Sequence, residues 1–130
     1  MEFPGAFLSF SEYEAFKYGR VMSKAVQITT ATFEEQVLLS DQPVIVDFYA
    51  DWCGPCKMLS PVLEQIAAEH VDVKITKVNV DEEPALAERY RVRGIPYVAM
   101  FRDGKLAEQV VGYRPKAALE AGLGLNGKLV

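Results

Sequence analysis

Two cysteines separated by a glycine and a proline are the part of this chain best suited to chemistry. The segment Cys53-Gly54-Pro55-Cys56 contains the only two cysteines among 130 residues. The nucleophile in thiol–disulfide exchange is a thiolate, and a second thiol nearby can complete the exchange. The spacing therefore predicts a redox-active disulfide, Cys53–Cys56, that works by exchange with other disulfides.

A structural staple or a metal site explains the pair less well. A bridge that closes so short a loop removes little entropy from the unfolded chain. A structural zinc ion needs about four ligands, whereas the chain offers two thiols and one histidine, His70. An iron–sulfur cluster shared by two chains remains arithmetically possible. We expect no metal and no bound cofactor, and we expect His70 to be a solvated residue at a helix end.

The predicted surroundings of the two thiols give them different roles. Residues 53–70 have helical spacing, so Cys53 should lie at a helix N-terminus, where free N–H groups lower the pKa of a thiol. We expect Cys53 to be the exposed nucleophile and Cys56, one turn in and more buried, to resolve the mixed disulfide. Gly54 and Pro55 set the geometry of the turn. Neither adds positive charge beside the thiolate, which favours a reductant over an oxidant.

Asp47 interrupts the apolar run Val44–Tyr49, six positions before Cys53. A buried carboxylate is costly unless paired, so its pKa should be raised. Such a group can accept the proton of Cys56 as that thiol attacks. Lys77, in a neighbouring predicted strand, is a plausible partner that tempers the shift. The competing interpretations are a solvated strand-end carboxylate for Asp47 and ordinary surface charge for Lys77.

Strand and helix patterns alternate along the chain and must position these residues. Thr32 and Glu35 form a capping-box pattern at the start of the first helix, and Asp103-Gly104 predicts a tight hairpin turn. The resulting β-α-β-α-β-β-α order predicts an α/β fold, with a central mixed five-stranded sheet and helices on both faces. The predicted strands are 25–28, 43–49, 73–80, 97–101 and 106–111; the predicted helices are 32–39, 53–70, 84–90 and one from about Pro115.

Composition narrows the class of protein. The chain is 50% hydrophobic and 25% charged, which is ordinary for one globular domain. Its formal net charge of −4 argues against nucleic acid as a partner. No apolar run is long enough for a transmembrane helix, and the N-terminus lacks the basic start of a secretory signal. We therefore expect a cytoplasmic protein without a membrane partner.

Residues 1–21 differ from the rest, because they hold six of the 14 aromatic residues. Three interpretations of this N-terminal extension remain open. It is an upstream or cloning-derived addition without a role, disordered or not; a helix docked on the domain or on a second copy; or a segment that binds a partner. Phe3, Phe7 and Phe10 fit one helical face. The domain itself is expected over residues 22–130.

The segment 52–57, Trp-Cys-Gly-Pro-Cys-Lys, resembles the active-site motif of the thioredoxin family. The likeness covers about residues 22–121 and rests on several further segments. These are Val46-Asp47-Phe48, Pro61 in the following helix, Lys-Val-Asn-Val-Asp at 77–81, Arg-Gly-Ile-Pro at 93–96, Phe-Arg-Asp-Gly at 101–104 and Val-Gly at 111–112.

The resemblance implies a protein-disulfide reductase with the thioredoxin fold. It implies a cis Ile95–Pro96 peptide bond beside the thiols, although most bonds before proline are trans. It also implies a groove in which a substrate strand pairs with Ile95, formed by Trp52, Gly54, Pro55, Ile95, Pro96 and Gly112. The implied partners are disulfide-containing proteins and a thioredoxin reductase linked to NADPH or ferredoxin, with the chain acting as a monomer or weak dimer. Two alternatives stay open: a redox-independent binding or assembly subunit, and a dithiol oxidase.

Three positions depart from the family pattern. Tyr49 stands where tryptophan is frequent, although its ring can still pack beside the site. Tyr97 follows the proline of the implied cis bond, where threonine is usual, and either alters substrate fit or fills core. Arg114-Pro115 replaces a polar cap, so the last helix lacks a strong N-cap.

Overall fold

The computed structural model describes residues 25–125, and within this range five strands form one mixed sheet. The strand order is β1-β3-β2-β4-β5, with β1 and β2 parallel to β3, β4 antiparallel to β2, and β5 antiparallel to β4. The predicted sheet is confirmed. The strands are β1 (Val26–Gln27), β2 (Val44–Tyr49), β3 (Lys74–Asn79), β4 (Tyr97–Arg102) and β5 (Lys105–Val111).

Helical segments cover both faces of the sheet, as predicted. They are α1 (Glu34–Leu38), α2 (Gly54–Glu69), α3 (Pro84–Arg89) and α4 (Lys116–Gly122). Side chains of α2 and α4 share one core with Ile45, Ile75 and Val98. Side chains of α1 and α3 share a second core on the other face with Val46, Phe48 and Val78. Alternation along each strand thus sends neighbouring residues into opposite cores.

The central strand β2 is covered on both faces, which explains its nearly continuous apolar sequence. Val44 to Phe48 are all buried. Asp47 and Ile45 are two residues apart, so their side chains lie on the same face of β2. Ile45 is buried under α2, and Asp47 therefore faces the first turn of that helix. β2 therefore places the Asp47 carboxylate below the Cys53–Cys56 pair.

The capping box predicted for the first helix is wrong. The Thr32 hydroxyl oxygen accepts a hydrogen bond from the N–H of Thr29 at 3.0 Å, so it is used by the preceding turn. No side-chain cap closes the start of α1. The segment winds more widely than an α-helix, and the N–H of Leu39 donates to the carbonyl of Glu34, five residues back, at 2.9 Å.

The hairpin turn at Asp103-Gly104 is confirmed. Both residues have positive φ, 52° and 77°, as a type I′ turn requires. The β4–β5 ladder shifts register between Met100 and Phe101, which marks a bulge. α4 begins at Lys116 after Pro115, without a side-chain cap, as the sequence predicted.

The N-terminal extension, residues 1–21, lies outside the described residues. Across 25–125, none of the helices has the length and apolar character to cross a membrane.

Candidate active site

Cys53 and Cys56 form a disulfide at the N-terminus of α2. Cys53 is the residue that precedes the helix, with an extended backbone, and its Sγ accepts a hydrogen bond from the N–H of Cys56 at 3.1 Å. The two Cα atoms are 5.3 Å apart. Gly54 and Pro55 occupy the first helical turn, where proline loses no helical hydrogen bond. The sulfur of Cys53 therefore lies at the positive end of the helix, as predicted.

The predicted difference in exposure between the thiols is absent from this disulfide form. Cys53 is 4% exposed and Cys56 is 3% exposed. Both cysteines pack with Ala50, Tyr49 and Ile95, which cover them. Their immediate neighbours Gly54 and Pro55 are exposed.

Asp47 is buried beneath this turn, so its interpretation as a solvated carboxylate is wrong. It is 5% exposed, and its Oδ1 has no hydrogen-bond partner. Burial raises the pKa of Asp47 to about 7, and the nearby Lys77 ammonium opposes that rise. Asp47 and Cys56 line one pocket of about 140 Å³ together with Ser60 and Lys77.

Lys77 lies directly across from Asp47 in the β2–β3 register, and it is half-buried. Its Nζ is 5.7 Å from the centre of the Tyr49 ring, within the range of a cation–π contact. Ordinary surface charge is therefore too simple a description of Lys77. The Tyr49 hydroxyl donates to Gln27 Oε1 at 3.1 Å. Gln27 is a site residue that the sequence did not indicate, because its contact with Tyr49 reaches across β3, which lies between β1 and β2.

Three of the predicted groove residues, Ile95, Pro96 and Gly112, lie close together beside the disulfide. The Ile95–Pro96 bond is cis, as the resemblance implied. Ile95 packs against the cysteines, and the Pro96 carbonyl accepts a hydrogen bond from the N–H of Gly112 at 2.7 Å. Gly112 has a φ of +90°, which glycine adopts readily and other residues do not. The polypeptide at 95–96 and the end of β5 are thus joined next to the thiols.

Trp52 stands exposed at the entrance to α2, with 70% of its surface accessible. Its indole N–H donates to Asp81 Oδ2 at 2.8 Å. Sequence reasoning predicted the apolar wall but missed Asp81, which lies after β3 and 29 positions further along the chain. The hydrogen bond to the Asp81 carboxylate holds the indole in place, with most of its apolar surface exposed to solvent.

Tyr97 fills core, which decides between its two interpretations. It lies on the α1/α3 face of the sheet and is 4% exposed. Its ring packs edge-on against Phe48, and its hydroxyl donates to Gln109 Oε1 at 3.0 Å. Alternation along β4 turns this side chain away from the face that carries α2.

His70 is not solvated as predicted; its side chain is 12% exposed and its Nε2 is 2.9 Å from Glu120 Oε2. Within 25–125, Glu69, His70 and Glu120 are grouped closely enough to hold a metal ion. The Lys116 ammonium already contacts both carboxylates, Glu69 at 2.6 Å and Glu120 at 3.5 Å. A fixed cation therefore occupies the centre of this group, which lies at the opposite end of α2 from the thiols.

The fold and this site define a thiol–disulfide oxidoreductase whose redox centre is a disulfide of the chain itself. A family model described as Thioredoxin matches residues 24–124. Thioredoxin 1 of Synechococcus elongatus is 50% identical over 99 residues, which are 75% of this chain and 92% of that protein. Thioredoxin 1 of a Nostoc species is 48% identical over the same shares. Thioredoxin of Mycobacterium tuberculosis is 46% identical over 98 residues, 75% of this chain and 84% of the relative.

The chain belongs to the thioredoxin family. It is a protein-disulfide reductase that acts by dithiol–disulfide exchange.

Proposed function

We propose that Cys53 is the attacking thiolate and Cys56 the resolving thiol. The observation that supports this order is the position of the Cys53 sulfur, which precedes α2 and accepts the N–H of Cys56. That N–H and the helix dipole stabilise a negative charge on Cys53 rather than on Cys56. In the dithiol form, Cys53 attacks one sulfur of a substrate disulfide, and the other substrate sulfur leaves as a thiolate. Cys56 then attacks Cys53, which releases the second substrate sulfur and leaves the Cys53–Cys56 disulfide.

Asp47 accepts the proton of Cys56 during the second attack. The two residues share a pocket, and a carboxylate with a pKa of about 7 can gain or lose a proton at neutral pH. Lys77 keeps the pKa of Asp47 from rising further, because its positive charge favours the ionised carboxylate.

Substrate binds as an extended strand across Ile95, Pro96 and Gly112, with Trp52 as an apolar wall. Ile95 lies outside the strand ladders, and it packs against the cysteines, so a strand paired there places its own disulfide at Cys53. The oxidised protein is returned to the dithiol by a reductase linked to NADPH or ferredoxin. We place this cycle in the cytoplasm, with the chain acting as a monomer or weak dimer.

Reduction of insulin disulfides tests the assignment of the thiols. The Cys53→Ser variant should lose activity entirely, because no attacking thiolate remains. The Cys56→Ser variant should lose turnover but accumulate a mixed disulfide through Cys53, visible by mass spectrometry. A mixed disulfide formed by Cys53→Ser instead would reverse the two roles, and full activity in both variants would remove the proposal.

The dithiol oxidase alternative makes a different prediction for the reduction potential. A reductase needs a potential well below that of glutathione, whereas a value near or above glutathione's would favour the oxidase.

A further inference from the structure

Arg114 is a charged residue at the substrate groove that the exchange chemistry does not use. A Cβ placed on Gly112 would lie 3.2 Å from Arg114 Nη1, so the guanidinium lies against the Gly112 backbone. The same Nη1 donates to the carbonyl of Tyr113 at 2.9 Å. Because Gly112 is hydrogen-bonded to Pro96, the guanidinium is held beside the cis-proline side of the groove.

The positive charge of Arg114 is available to a ligand. Arg114 is exposed, and none of the ion pairs among residues 25–125 includes it. A guanidinium has five N–H donors in a planar fork that fits a carboxylate. The bond to Tyr113 uses one nitrogen of this fork and restricts its position, and the remaining N–H groups are available to a ligand.

Charge is distributed unevenly around the groove. On the Trp52 side, Asp51 is exposed and Asp81 is engaged by the indole. Lys57, in α2, is exposed and lines the pocket next to Asp47, and Arg93 is exposed just before the cis-proline loop. Acidic residues therefore lie near Trp52, whereas Arg114 places a positive charge at Gly112, within a chain whose net charge is −4.

We propose that Arg114 is a specificity-determining residue that favours substrate disulfides with a Glu or Asp within two residues of the reacting cysteine. The inference rests on the proposed function, because it uses the strand-binding groove. In an extended strand, residues two positions apart face the same side and are separated by about 6.6 Å. An acidic residue two positions from the substrate cysteine thus faces this protein together with that cysteine, and Arg114 can bind its carboxylate.

Three symmetric peptide disulfides test the proposal. Each is a dimer of acetyl-X-Ala-Cys-Ala-X-amide in which X is Glu, Gln or Lys, so the charged residue flanks cysteine on both sides. At physiological salt, where the Debye length is about 8 Å, the wild-type kcat/KM should be about fivefold higher for the Glu peptide than for the Gln peptide. The Lys peptide should be the poorest of the three substrates.

Variants show whether Arg114 causes this preference. In Arg114→Gln the Glu-to-Gln ratio should fall to about one, and in Arg114→Lys it should be intermediate, because charge remains without the fork. The exposed Lys105→Gln change removes the same charge far from the groove and should keep the wild-type ratio.

Equal rates for the three peptides in the wild type, or an unchanged ratio in Arg114→Gln, would overturn the role of Arg114. Failure of the wild type to reduce any of the peptides would instead count against the proposed function.

Discussion

At the scale of single residues, Asp47 is a buried carboxylate that lowers the stability of the fold. A hydrophobic residue at this position would continue the apolar pleat of β2 and pack under α2. The carboxylate instead leaves Oδ1 without a hydrogen bond, and its pKa rises to about 7. Buried acids with raised pKa values are typical of groups that move protons near neutral pH.

Replacing Asp47 with Asn should stabilise the oxidised protein at pH 8. The ordinary pKa of 3.8 is raised to about 7 by folding, so the folded protein holds a proton that the unfolded chain releases. The contribution of Asp47 to the free energy of unfolding of the wild type therefore falls as pH rises between these values. Asp47→Asn should be more stable by about 2–4 kcal/mol at pH 8, with the advantage vanishing near pH 4.

Urea unfolding at pH 4 and pH 8 measures this difference, and the exposed Asp51→Asn change is the matched control. A constant offset between wild type and Asp47→Asn at both pH values would show that Asp47 does not titrate between them.

At the scale of elements, the β4–β5 hairpin turn was predictable from two residues, and a helix near α1 was also expected, whereas the way α1 begins was not predictable. Asp-Gly between two apolar strands leaves few alternatives to a tight turn. Thr32 and Glu35 also match a strong local pattern, yet the Thr32 hydroxyl oxygen accepts a hydrogen bond from the backbone N–H of Thr29 instead of capping the helix. Local patterns succeed where the backbone itself imposes the residue type, and they fail where another group of the chain competes for the same hydrogen bond.

Gly104→Ala should lower the stability of the hairpin. Its φ is +77°, and a Cβ there would lie 2.9 Å from the carbonyl oxygen of Leu38. Strain and contact together should cost about 1–3 kcal/mol in urea unfolding. Gly54→Ala is the matched control, because a Cβ at that position meets nothing within 4 Å. Equal stability of the two variants would contradict this account of the turn.

At the thiol site, the features that depend on neighbouring residues were also predictable from the sequence, and the contacts between distant residues were not. The Cys53 and Cys56 spacing, the acid in β2 and the helix after the motif were all visible in the sequence, because their patterns are local. The bonds from Trp52 to Asp81 and from Tyr49 to Gln27 were not, because they join separate strands and loops. The cis bond at Ile95 was expected only from the family resemblance, since nothing local distinguishes it from an ordinary proline.

At the scale of the whole molecule, every residue assigned to the site and its groove lies between 27 and 114. The family match spans 24–124, so both the site and the elements that hold it exclude the N-terminal extension. The interpretations of the extension, among them partner binding, remain open. Removing residues 1–21 tests whether the extension contributes to the redox function.

A chain that begins at Met22 should reduce insulin disulfides at a rate within about twofold of the full chain, because each group used in exchange is retained. Partner capture from a mixture, by contrast, should be lost on truncation if the extension serves a binding subunit. A large loss of reductase activity would place the extension in the exchange site.

The two edge strands of the sheet, β1 and β5, matter for the solubility of the protein. An edge strand has unpaired N–H and C=O groups that can pair with another copy of the same chain and build growing stacks. β1 offers two residues, Val26 and Gln27, to such a neighbour, and β5 contains a bulge at Ala107 and carries Lys105 and Glu108. Short length, irregular pairing and charge discourage such stacking, which keeps each molecule free to meet the disulfides of other proteins.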